Sequence, residues 1–170
     1  MNKVNKAQLI NQDSGLYEYY TPPIIVELAA KVMGGIDLDP FSSDQANKNV
    51  NAAKIYTEND NGLLHDWHGK IWMNHPFSRT MNKLCVEKLI AEYELGRVSQ
   101  ACCITFASTS ESWFRPLLKY PMCFIHKRTN YFLADGTLKT GVTKGSVVTY
   151  IGDNIDEFKR IFSEIGTVKI

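Results

Sequence analysis

The sequence predicts an α/β fold built on a mostly parallel sheet, and three observations predict it. Short strand-like segments alternate with helical ones along the chain. Residues 99–107, Ser-Gln-Ala-Cys-Cys-Ile-Thr-Phe-Ala, form an apolar run of the kind expected in a strand buried on both faces. Two other strand-like segments end in Asp39 and Asn74, and open α/β sheets bind ligands at the carboxyl ends of their strands. The chain has 170 residues, 44% hydrophobic and 22% charged, enough for one domain with a substantial core. No repeat, low-complexity tract or linker divides it, so residues 1–170 are expected to form a single domain with an irregular arm over 1–19.

The elements follow in order. Within the arm, Asp13-Ser14-Gly15 marks a turn. Residues 24–33 read as a helix with Thr21 as N-cap, a proline in the first turn and Gly34-Gly35 as the stop. Residues 36–40 are a short strand ending in acid and proline. Residues 42–53 are a polar, asparagine-rich loop with a helical turn, 54–57 a second strand and 58–62 a turn. The strand before Asn74 follows Trp67-His68-Gly69. Residues 81–93 give an amphipathic helix whose stripe is Leu84, Cys85, Lys88, Leu89 and Ala91, ended by Gly96. After the 99–107 strand come a short helix over 110–120, a strand over 122–126 and a loop over 130–144 with a hairpin-like Asp135-Gly136 turn. A final strand over 146–152 and a closing helix over 156–165 complete the pattern.

A formal charge of +1 gives no global nucleic-acid signature, so any such contact must rest on a local basic patch. Cys85, Cys102, Cys103 and Cys123 form no paired metal-ligand spacing, and free buried thiols in a reducing compartment are expected rather than zinc. His65, His68 and His126 also lack ligand-like spacing, and no metal site is expected. No stretch approaches the ~20 apolar residues of a membrane span, and the amino terminus has no signal-peptide pattern, which predicts a cytoplasmic protein.

Residues 71–78, Ile-Trp-Met-Asn-His-Pro-Phe-Ser, carry the densest chemistry. A buried strand ends in a neutral amide, an exposed carbonyl, a rigid proline and an aromatic face. The amide oxygen of Asn74 and the carbonyl of His75 are suited to accepting protons from the exocyclic amine of a flat heterocycle. Phe77 is suited to stacking on its ring. An ordinary strand-and-proline turn with Phe77 in the core is the plainer alternative. The loop resembles the Asn-Pro-Pro-Tyr/Phe signature of methyltransferases acting on amino nitrogens, with His75 in place of the first proline.

Four motifs in one order extend the likeness: Tyr20-Thr21-Pro22, Asp37-Leu38-Asp39-Pro40, Asp66-Trp67-His68-Gly69 and Asn74-His75-Pro76-Phe77. Together with Thr109 to Phe114, the segment Lys127-Arg128-Thr129-Asn130-Tyr131-Phe132, Asp135-Gly136 and Gly145-Ser146, they make residues 17–152 resemble the phage-type DNA N-6-adenine methyltransferases. The resemblance implies a reduced, Rossmann-like fold that uses S-adenosylmethionine to methylate the exocyclic nitrogen of adenine in DNA. It also implies a phage or prophage protein working in the host cytoplasm. Asp39, with Asp37 and Pro40 on the same strand end, would then contact the cofactor; a capping role is the alternative for Asp39, and a solvated surface role for one of the two acids. Tyr20, Thr21 and Pro22 would close over the cofactor's methionine end. Asn74, His75, Pro76 and Phe77 would form the catalytic loop, holding an adenine flipped from a double helix.

His75 is the departure from the family pattern. Its carbonyl survives the change of side chain, while its imidazole is open to substrate contact, titration or space filling. The short gap between Asp39 and Asn74 implies that helices there are lost or reduced to turns, leaving the cofactor pocket open. Arg79 and Lys83 beside the catalytic loop, and Lys127, Arg128, Lys139 and Lys144 later, are the candidates for DNA phosphates, with a solvated surface role the alternative for Lys139 and Lys144. Two alternatives stand beside DNA methylation: an inactive relative that binds cofactor or DNA, and an amino-methyltransferase acting elsewhere, for example on protein glutamine.

Overall fold

The computed structural model describes residues 19–133 and 135–170. The Asp13-Ser14-Gly15 turn and nearly all of the expected arm lie outside the described residues. Seven strands form the central sheet in the order β2-β1-β3-β4-β8-β5-β9. These are β1 (Leu38–Asp39), β2 (Lys54–Ile55), β3 (Gly69–Met73), β4 (Val98–Phe106), β5 (Met122–Ile125), β8 (Ser146–Ile151) and β9 (Gly166–Lys169). β1 to β4 are mutually parallel, β8 runs against them, and β5 runs against β8 and so along β4. Only β8 and the edge strand β9 oppose the other five, in a Rossmann-like arrangement. β6 (Tyr131–Phe132) and β7 (Leu138–Lys139) form a separate hairpin. Tyr20 pairs with Phe132 through both backbone bonds, Tyr20 N–H to Phe132 O at 2.7 Å and Phe132 N–H to Tyr20 O at 2.9 Å.

Helices cover both faces. α1 (Pro23–Met33) and α4 (Ile155–Phe162) pack with Trp72, Cys102, Ile104, Val148 and Tyr150 on one side. α3 (Arg79–Glu94) packs with Ile71, Met73, Ala101, Cys103 and Val147 on the other. The period-two alternation of a strand therefore sends the adjacent thiols Cys102 and Cys103 to opposite faces of the sheet. All four cysteines are free and buried, and burial pushes the Cys103 and Cys123 thiols up to about 12.

Several expectations are corrected. Pro22, not Thr21, is the N-cap of α1, because two successive prolines set the helical entry without a side-chain cap. Gly34 supplies the expected stop in a left-handed conformation, φ 69°. The stripe of α3 is rotated: Cys85, Val86, Leu89 and Ile90 are buried, while Leu84 and Ala91 face solvent. Residues 110–120 are turns and a short 3-10 helix (Arg115–Lys119), since Pro116 has no N–H to donate to an α-helical ladder. The 146–152 strand is not the last, because Gly166–Lys169 adds an antiparallel edge to β5. Between Asp39 and Asn74 only a seven-residue helix, α2 (Asp44–Val50), and a 3-10 turn (Gly62–Leu64) remain. Among the described residues no helix is long and apolar enough to cross a membrane.

Two glycines allow close approaches of the chain, one just after β1 and one at the start of β3. A Cβ on Gly62 would lie 2.1 Å from the Pro40 carbonyl oxygen, and the Gly62 carbonyl accepts the buried Trp67 indole N–H at 2.8 Å. Gly69, at φ +79°, leaves room for the Asp37 carboxylate, which accepts the Lys70 N–H at 2.9 Å and so clamps β1 to β3.

Candidate active site

All four parallel strands, and β5 with them, end at one edge of the sheet, so the residues that follow each strand share one opening. Glu58 comes after β2, Asp39 ends β1, Asn74 follows β3, Phe106 ends β4, and Lys127-Arg128 follow β5. A cavity of about 900 Å³ opens there, at the upper end of the roughly 300–1,000 Å³ typical of ligand sites. Its walls come from β1 and the start of α2, from the Thr57 to Gly62 turn, from the β3 loop, from Tyr19 to Thr21, and from Leu133 and Asp135 of the hairpin. Tyr20, Thr21, Asp39, Pro40, Asn74, His75 and Pro76 line it, as the sequence predicts.

Three predicted site residues lie elsewhere. Pro22 caps α1 outside the lining. Asp37 is exposed at the start of β1, with its carboxylate engaged by Lys70. Phe77 is half-buried in an aromatic cluster just outside the cavity, 4.6 Å from Phe106, 5.8 Å from Tyr131 and 6.2 Å from Tyr19 between ring centres.

Asp39 is 2% exposed, and its Oδ1 accepts the Phe41 N–H at 3.2 Å. Burial outweighs that bond and pushes its carboxyl up to about 7, so it titrates in the neutral range. Tyr20 is held by a 3.0 Å hydroxyl contact with Ser43, the N-cap of α2. The Thr21 carbonyl accepts the Asn49 side-chain amide at 3.0 Å.

Asn74 donates its amide N–H to the Tyr19 carbonyl, which fixes the amide's orientation and leaves Oδ1 as the remaining acceptor. Buried polar atoms of the lining residues, among them Thr21 Oγ1, Asn74 Oδ1 and His75 Nδ1, have no hydrogen-bond partner among the described residues. Such groups are rare unless a ligand or water completes them. His75 is 1% exposed, its ring set edge-on to Phe41 and Phe77, and its Nε2 lies 2.7 Å from Asn82 Oδ1. Burial lowers its pKa to about 4, so the imidazole is neutral and not a base at physiological pH.

Basic side chains ring the same edge. Arg79, Lys127 and Arg128 are exposed and form no ion pair among the described residues, while Lys83 lies 3.9 Å from Glu87. The Arg128 guanidinium approaches Gly145, whose carbonyl accepts the Ala107 N–H at the end of β4. Lys144 sits 5.5 Å over the Phe106 ring, and Lys139 is half-buried in β7. His65 stacks on Tyr56 and His126 bonds Thr167, both away from the cavity lining.

Glu58, Phe41, Asn49 and Leu133 also line the cavity but were not singled out by sequence reasoning, and Asp135, read there only as part of a turn motif, lines it too. The strand-end rule that selects Asp39 also selects Glu58 once β2 is recognised. A family model described as DNA N-6-adenine-methyltransferase (Dam) matches residues 8–166. No curated protein and no solved structure matches the chain.

Proposed function

The chain belongs to the DNA N-6-adenine-methyltransferase (Dam) family, and we propose that it methylates the exocyclic amine of adenine in DNA with S-adenosylmethionine as donor. The observation that carries this reading is the Asn74 amide. Its N–H is tied to Tyr19, and its Oδ1, without a partner among the described residues, stands at the carboxyl edge of a large strand-end cavity.

The donor set suits the cofactor. Asp39, when ionised, is an acceptor for an ammonium group, Thr21 Oγ1 is a buried group without a partner among the described residues, and Glu58 offers a rim carboxylate to a ribose diol. Phe41, Pro40 and Val50 supply apolar wall for a purine. When bound, S-adenosylmethionine supplies an electrophilic methyl on a cationic sulfur. No strong base is then needed on the protein side, and positioning supplies much of the rate.

Asn74 Oδ1 and the His75 carbonyl would accept the two amine protons, aim the nitrogen lone pair and stabilise positive charge as it develops there. The proton leaving the methylated nitrogen passes to solvent, since the His75 ring is neutral, buried and a poor base. Phe77, Phe106 and Tyr131 form the aromatic wall beside this position, suited to an adenine turned out of the duplex.

Arg79, Lys127 and Arg128, with Lys83 nearby, are placed to meet phosphates around that opening. Replacing Lys127 and Arg128 together by alanine raises KM for DNA and lowers the salt slope of binding by about two, with cofactor affinity unchanged. Fluorescence anisotropy over a salt series reads both effects, and an unaltered slope removes these residues from the interface.

The direct test is transfer of labelled methyl from S-adenosylmethionine to unmethylated DNA at low salt, followed by digestion to nucleosides. Label on N6 of adenine supports the proposal. Label on protein glutamine, or none despite calorimetric cofactor binding, overturns it.

A further inference from the structure

The segment from Asn74 to Ser78 turns directly into α3. The Ser78 N–H bonds the Pro76 carbonyl at 2.9 Å, and the Ser78 hydroxyl accepts the Met81 N–H at 3.2 Å. Asn82, in the first turns of that helix, donates its own N–H to the Ser78 carbonyl at 2.9 Å. Its side chain reaches back seven positions to His75, closing a loop through the 2.7 Å contact between Nε2 and Oδ1. With Oδ1 as acceptor, Nε2 carries the ring proton, and Nδ1 is left as a buried acceptor with no partner among the described residues. The Asn82 bond is thus the one hydrogen bond to this buried ring among the described residues, and it sets the ring's orientation.

That ring belongs to the residue between the Asn74 amide and Pro76. A side chain that is free to rotate at this position lets the His75 carbonyl and the Asn74 amide wander. One that is pinned to a helix does not, and displacements on the order of 1 Å in such groups change rates by roughly 10²-fold.

We propose that Asn82 is a positioning residue for methyl transfer, acting through His75 to hold the loop that presents the amine acceptors. The role rests on the methyltransferase reading above. Asn82 is not itself a lining residue and reaches the cavity only through His75, so its loss alters the geometry of transfer and leaves binding of the cofactor alone.

The test compares full-length wild type, Asn82→Ala and Asn82→Asp at pH 8. Alanine keeps helical propensity and removes the acceptor, while aspartate keeps an acceptor in the same place. The expected outcome is a kcat lowered ~10- to 50-fold in Asn82→Ala, with KM for S-adenosylmethionine within about twofold, and most of the rate recovered in Asn82→Asp. Active-site titration normalises each rate to folded enzyme. An unchanged normalised kcat, or equal losses in both variants, overturns the proposal.

Nitrogen NMR of the histidine ring supplies a readout that needs no turnover. In the wild type His75 shows one fixed neutral tautomer from pH 5.5 to 8, and in Asn82→Ala the two tautomers average. Absence of transfer by the wild type overturns the functional reading, and the ring spectrum then decides this one. Tautomer signals unaffected by Asn82→Ala sink it.

Discussion

Asn74→Ala lowers kcat for adenine methylation by roughly 10²- to 10³-fold, the range seen when one preorganised hydrogen-bonding group is taken from a charge-developing centre. Cofactor affinity changes little, because the Asp39, Thr21 and Glu58 end of the cavity is untouched. The variant also removes the amide N–H that the Tyr19 carbonyl accepts. Asn74→Asp separates the two contributions. It keeps an oxygen for the amine but turns a second oxygen toward the Tyr19 carbonyl, where acceptor meets acceptor. Aspartate therefore retains more activity than alanine and less than asparagine, and its Tyr19 to Thr21 segment is more easily proteolysed. Single-turnover transfer of labelled methyl, with calorimetry for the cofactor, measures both. A rate within tenfold of wild type in Asn74→Ala removes Asn74 from the chemistry.

The Asn74 loop and the first strand end were legible because they rest on local rules. A buried apolar run followed by Asn-His-Pro-Phe announces a strand that stops abruptly. Parallel strands all stop at the same edge, so Asp39 and Asn74 had to share an opening. The order of motifs covering most of the chain identified the family. What escaped rests on contacts that leave no trace in side-chain pattern. The partner of the Asn74 amide is a backbone carbonyl 55 positions earlier, and any residue at Tyr19 would offer one. Asn82 reads as an ordinary polar residue on a helix, and only the path of the preceding loop brings it to His75.

Phe77 was read as a ring facing the cavity, yet Phe106 and Tyr131 draw it into an aromatic cluster beside it, a consequence of β4 and the hairpin meeting at that edge. Asp37 and Asp39 share a strand face in pattern, but the room left by Gly69 takes the Asp37 carboxylate to the Lys70 N–H. The missing helices between Asp39 and Asn74 were countable from chain length. The use of the freed space, in which Gly62 lets the turn after Glu58 close against Pro40, depends on a backbone approach that side-chain pattern does not encode.

Asp39→Asn makes the cofactor-free protein more stable in mild alkali while weakening its hold on S-adenosylmethionine. The carboxyl is raised from the ordinary 3.8 to about 7 by burial, so the folded chain holds this proton more tightly than the unfolded chain does. Its contribution to stability is in place below the unfolded value and is lost as pH rises through about 7. The loss amounts to at most ~4 kcal/mol, set by the distance between the two values. Asparagine keeps an oxygen for the Phe41 N–H and removes the ionisation, so the variant's stability is flat where the wild type declines between pH 4 and 7. Cofactor binding runs the other way. An ammonium group favours the ionised carboxylate, so wild-type affinity strengthens as pH rises toward 7 and levels above it, with a proton released on binding below that point. In Asp39→Asn this slope disappears, and affinity at pH 8 falls by ~10- to 100-fold, the weight of a hydrogen bond to a charged group. Urea denaturation and calorimetry from pH 5 to 8.5 read the two opposed trends. If the stability curves of variant and wild type stay parallel across that range, the Asp39 proton is not held by the fold, and its assignment to the cationic end of the cofactor loses its support.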